Sequence, residues 1–111
     1  MKQAMWREAR NIFAQIAPAM SGEERGSLMG GLVSACGGGA RGATIALNTL
    51  RDVQVRIMSQ ALPGYAVAET PAAKVAVIRR YIRKIINDTK NGQMPPGGRS
   101  GREPSGSAGA L

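Results

Sequence analysis

Lys74 to Lys90 reads KVAVIRRYIRKIINDTK and sets six basic residues against one acid, Asp88. Arg79–Arg80 and Arg83–Lys84 are adjacent pairs four positions apart, so on a helix they project from successive turns. Guanidinium and ammonium groups in that arrangement can neutralise phosphates along a nucleic-acid backbone or in a groove. Tyr81 flanks the band and offers a ring and a hydroxyl. Lys74 and Lys90 would lengthen a phosphate footprint, and Arg99 and Arg102, spaced by glycine and serine, would carry it into the C-terminal tail. The same composition suits an anionic membrane surface, with isoleucines inserting. The plain alternative is the solvent-facing side of a bundle helix.

Other chemistry finds less support. GGGARGAT, Gly37 to Thr44, matches three positions of the phosphate-binding loop G-x-x-x-x-G-K-[ST], but Ala43 stands where the lysine is required. That lysine reaches the terminal phosphates, so nucleotide hydrolysis is not expected. Glycine amides with Arg41 could still hold one anion at a helix start, and a simple hinge is the alternative. The chain has no histidine and a single cysteine, Cys36. This removes Ser-His and Cys-His nucleophiles, an internal disulfide and a cysteine-based zinc site. Glu23 and Glu24 are explained by a helix start, and Asp52 and Glu69 have no evident partner. The expectation is a protein that is not an enzyme, with no cofactor, no metal and no small-molecule substrate.

Gly26, Gly30, Ser34, Gly38 and Gly42 recur every four residues and would share one face of a continuous helix. Small residues at that spacing let helix backbones approach closely, within one domain, between copies or in lipid. Fifteen glycines in 111 residues also produce such spacing by chance. MSGEERGSLMGG, with Met20, Glu24 and Leu28 ahead of Gly30–Gly31, resembles over those 12 residues the double-glycine leaders of exported bacterial peptides. It departs from them at Arg25, where a second apolar residue is expected.

The elements that must carry these residues are helical. Met5, Ala9, Ile12, Phe13 and Ile16 mark one face of a first helix that stops near Pro18. Ser21 with Glu24 forms a capping-box pattern for a second helix, which runs to about Cys36 and breaks at Gly37–Gly39. A third helix restarts near Ala40, with Ala43, Ala46, Leu47, Leu50, Val53, Ile57, Met58 and Ala61 on its apolar face and Val55 off it. Thr70 and Pro71 open a fourth, whose face is Val75, Ile78, Ile82, Ile85 and Ile86, and Asn91–Gly92 close it. Short links predict neighbouring helices packed antiparallel. The expected fold is all-α: a small bundle of about four helices over residues 1–90, followed by a disordered tail over 91–111. That tail holds six Gly, three Pro and three Ser in 21 residues and has too little apolar surface to order itself.

Fifteen Lys and Arg against seven Asp and Glu leave a net charge of +8, which attracts polyanions and also favours solubility. Four aromatic residues are too few for the stacking platforms of RNA-recognition or OB-folds. No ordinary signal peptide and no apolar run of spanning length is visible, and cysteine use fits a reducing compartment, cytoplasm or nucleus. The reading is a small basic accessory protein, of a kind that viruses, phages and mobile elements make in number. It would bind RNA or DNA through the Lys74–Lys90 helix. The second reading is self-association, as a homo-oligomer, or membrane activity through the small-residue face.

Overall fold

A computed structural model describes residues 2–93 and Pro95. Four helices follow in order: α1 Lys2–Ile16, α2 Gly22–Ala35, α3 Gly39–Met58 and α4 Pro71–Lys90. Among the described residues there is no strand. Of the 91–111 tail only residues 91–93 and Pro95 are described; the rest, with Arg99 and Arg102, lies outside.

α1 and α4 bury the faces their spacing predicts, and α3 buries the first part of its own. Met5, Ala9, Ile12, Phe13 and Ile16 of α1 are all buried. In α2 the Ser21 hydroxyl oxygen accepts from the Glu24 amide at 3.0 Å, and Leu28, Met29 and Leu32 go inward. The reciprocal half of the capping box is not used, because both Glu24 carboxylate oxygens go to Arg79. α3 buries Ala43, Ala46, Leu50 and Val53 around Thr49, whose hydroxyl donates to the Ile45 carbonyl at 2.8 Å. α4 adds Val75, Ile78, Ile82 and Ile85, with Ile86 half-buried. Phe13, Met29, Leu32, Leu50, Ile78 and Ile82 thus bring all four helices into one core.

The glycine run bends the chain. Gly37, Gly38 and Gly39 have φ of +107°, +70° and +64°, a region L side chains rarely adopt. The Gly38 amide donates to the Val33 carbonyl at 2.9 Å and the Gly37 amide to Ser34 at 3.1 Å, the paired bonds of a Schellman closure. The same closure ends α4 at Gly92, with Gln93 to Asp88 at 2.9 Å and Gly92 to Thr89 at 3.1 Å. It also ends α3, but there the left-handed residue is Gln60 at φ +58°.

That third closure corrects the expected face of α3. The helix stops at Met58, so Met58 is 76% exposed and Ala61 lies beyond the end, exposed, while Leu62 turns back into the core. Val55 is exposed, as its position off the face implied. The expectation that sequence neighbours pair holds for α2 with α3 and needs correction for α1 with α2 and α3 with α4. The main interfaces are α1 with α3, α2 with α4 and α2 with α3. The links contribute to this: residues 17–21 close a turn with the Met20 amide donating to the Ala17 carbonyl at 3.0 Å, and they bury Ala17 and Met20 in the core. In the 59–70 link, the Tyr65 hydroxyl donates to the Ile16 carbonyl at 2.8 Å, fastening that segment to the end of α1.

Candidate nucleic-acid interface

The start of α4 sets which side chains face out. Thr70 stands in extended backbone and its Oγ1 accepts from the Ala73 amide at 3.0 Å. Pro71 takes the first helical position, where a missing N–H loses no helical bond. From that start the isoleucine face turns inward, and Arg80, Arg83, Lys84 and Asn87 fall at i, i+3, i+4 and i+7 on the opposite side. All four are exposed. Asn87 was missed in the sequence; its signal is its place seven residues after Arg80.

The predicted basic residues therefore divide. Arg80, Arg83 and Lys84 form one outward stripe, and Lys90 is exposed at the end of the helix. The Lys84 ammonium meets the Asp88 carboxylate at 2.9 Å in an exposed i, i+4 pair. Arg79 is engaged elsewhere: its guanidinium grips Glu24 of α2 with two bonds, Nε to Oε2 and Nη2 to Oε1 at 2.9 Å. The Arg79 hydrogen bonds hold the Glu24 carboxyl below its ordinary range, against an opposing push from burial. Lys74 is also occupied. Its ammonium lies 4.3 Å from the Tyr65 ring centroid and donates to the Tyr65 carbonyl at 3.3 Å. Tyr81, beside the stripe, is half-buried against the core.

Two further acids are paired away from the stripe. Glu8 pairs with Arg51 at 2.9 Å, and Asp52 pairs with Arg56 at 2.8 Å. Asp52 thus has the partner that the sequence reading did not assign, although its i, i+4 spacing was visible there.

The small-residue face is divided by the bend. Gly26, Gly30 and Ser34 lie on α2, Gly38 is in the break and Gly42 is on α3. Gly42 alone is closely packed: a Cβ there would meet the Val33 carbonyl oxygen at 2.8 Å, whereas at Gly26 and Gly30 nothing stands within 4 Å. The Gly30–Gly31 pair lies inside α2, with Gly31 facing Ile86. Gly37 and Gly38 give their amides to α2 carbonyls, which accounts for the loop as a hinge, and Arg41 is exposed beside it. Cys36 is half-buried and burial pushes its thiol up, away from the nucleophilic thiolate. Among the described residues no group of three or more His, Cys, Asp or Glu could hold a metal ion, and no helix is long and apolar enough to cross a membrane.

Comparison with protein-family models, with curated proteins and with solved structures finds no match to this chain.

Proposed function

We propose that this chain is a small basic accessory protein that binds nucleic acid, RNA or DNA, through phosphate contacts of α4. One observation supports the reading: Arg80, Arg83 and Lys84 lie on a single exposed stripe opposite the buried isoleucines, with Asp88 the one acid paired within it among the described residues. Among the described residues Arg80 and Arg83 are in no direct ion pair, although Arg83 lies near enough to Glu24 to help hold its carboxyl down, so a phosphate breaks no direct carboxylate contact to reach them. Phosphate contacts carry no base information, so binding is largely independent of sequence.

Fluorescence anisotropy with labelled single-stranded RNA, single-stranded DNA and duplex DNA tests this directly. Binding should weaken steeply with salt, and Arg80→Ala/Arg83→Ala/Lys84→Ala should remove most of it at low salt. No binding to any of the three at low salt sinks the proposal. Flotation with anionic vesicles in parallel separates it from membrane attachment by the same face.

A further inference from the structure

Gly26 has no packing reason to be glycine. It lies inside α2, where glycine is a poor helix former, and a Cβ built on it meets no heavy atom within 4 Å. What it does is line a cavity of about 390 Å³ between α1 and the first turns of α2. Trp6 and Phe13 supply aromatic surface to that cavity, Gly22 and Gly26 leave one wall bare, and Arg10 and Arg25 bring positive charge. No acid lines it.

The two arginines are not neutralised. The four ion pairs of the described residues involve neither. Arg10 is exposed, and Arg25 Nη2 donates to the carbonyls of Ala17 and Pro18 at 3.3 Å each, which fixes the group without cancelling its charge. Arg25 Nε is buried with no hydrogen-bond partner. The volume falls in the range of small-molecule sites, which combine apolar walls with a few placed polar groups.

We propose that this groove binds a small organic anion. Its aromatic body would lie against Trp6 and Phe13, and its carboxylate, sulfonate or phosphate would sit at Arg10 and Arg25. Arginine suits this task because its planar group both stacks on rings and pairs with oxyanions. The sequence offered no hint of it, since the walls come from two different helices, α1 and α2. The site is separate from the α4 stripe and does not rest on it.

The test uses the full chain and 8-anilinonaphthalene-1-sulfonate as probe. Trp6 is the single tryptophan and lines the groove, so its emission responds to a probe seated there, and the Gly26→Leu variant assigns that response to this groove. The expected result is saturable one-to-one binding with quenched Trp6 emission. Gly26→Leu, which fills the groove from an open position, should weaken binding at least tenfold while the thermal transition stays or rises. Arg10→Gln should weaken the sulfonate probe several-fold but leave the neutral analogue N-phenyl-1-naphthylamine unchanged. Arg80→Ala/Arg83→Ala/Lys84→Ala should bind the probe like the parent, whatever it does to nucleic acid. Unchanged affinity in a folded Gly26→Leu protein, or probe binding that fails to saturate and does not quench Trp6, overturns the proposal.

Discussion

Gly42→Ala and Gly30→Ala should change stability in opposite directions. The substitution is the same, and the two glycines belong to one four-residue spacing. At Gly42 the new methyl would lie 2.8 Å from the Val33 carbonyl oxygen, 3.3 Å from the Gly37 carbonyl carbon and 3.4 Å from the Cys36 oxygen. A relaxed C···O contact is about 3.3–3.6 Å, so the first distance must open by roughly half an ångström or more. All three obstacles are backbone, held by the closure of α2, and Gly42 is buried. Overpacking of this kind costs about 1–3 kcal/mol, here about 2–3 because no obstacle is a side chain that can swing aside, against a gain of up to about 1 kcal/mol from alanine's helix propensity. The net loss is about 1–2 kcal/mol, which for a domain of this size lowers Tm by roughly 5–15 °C. At Gly30 nothing stands within 4 Å, so only the propensity gain of about 0.5–1 kcal/mol remains. Urea unfolding followed by far-UV circular dichroism and Trp6 fluorescence gives both differences as shifts in midpoint at constant slope. A Gly42→Ala protein as stable as the parent refutes the close α2–α3 approach. A Gly30→Ala protein that loses stability means that α2 packs against something on that side.

Three further outcomes follow from named contacts. Gln60 closes α3 in the left-handed region at φ +58°, so Gln60→Gly should raise stability by about 1 kcal/mol in the same urea assay. Thr70→Ala removes the bond to the Ala73 amide and should cost about 1 kcal/mol, while Thr70→Ser keeps most of it. Glu24 has a folded pKa depressed below its ordinary 4.5, so its pair with Arg79 stabilises fully above that pH and is lost as pH falls through the folded value. Glu24→Gln should therefore flatten the decline of unfolding midpoint below pH 4.5, and parallel curves for parent and variant would show the coupling to be absent.

The helices were readable because local signals agreed. Thr70–Pro71 and the isoleucine spacing both place α4, and the three glycines both break α2 and supply its closure. The end of α3 was not readable, because Gln60 adopts a conformation its residue type does not advertise and the apolar pattern runs on through Met58 and Ala61. Helix pairing was hidden for another reason. It depends on Ala17 and Met20 entering the core and on Tyr65 reaching Ile16, contacts between residues far apart in the chain. In the basic band, phase could be read but partners could not. Arg79 looks equivalent to Arg80 until Glu24 arrives from 55 residues away.

That difference sets the size of the phosphate footprint. The band holds six cations from Lys74 to Lys90, but they are unequal competitors for a polyanion. Releasing Arg79 would break a bidentate pair whose carboxylate is largely shielded, at 21% exposure, and would loosen α2 from α4. Releasing Lys74 would uncover the Tyr65 contact that braces the 59–70 link. Lys84 is different, since its pair with Asp88 is 70% exposed on the lysine side and screened by salt, so a phosphate can replace the carboxylate. Arg80, Arg83 and Lys84, with Lys90 at the helix end, are then the contacts from the described residues. Three to four neutralised phosphates give a log–log salt slope of about −3 on duplex DNA, and six would give about −5. Arg79→Gln should leave that slope unchanged while lowering the unfolding midpoint, and Arg83→Gln should reduce the slope by about one with stability intact. A slope loss at Arg79 equal to that at Arg83 would mean that nucleic acid takes the arginine from Glu24, and that binding and the α2–α4 clamp compete for one side chain.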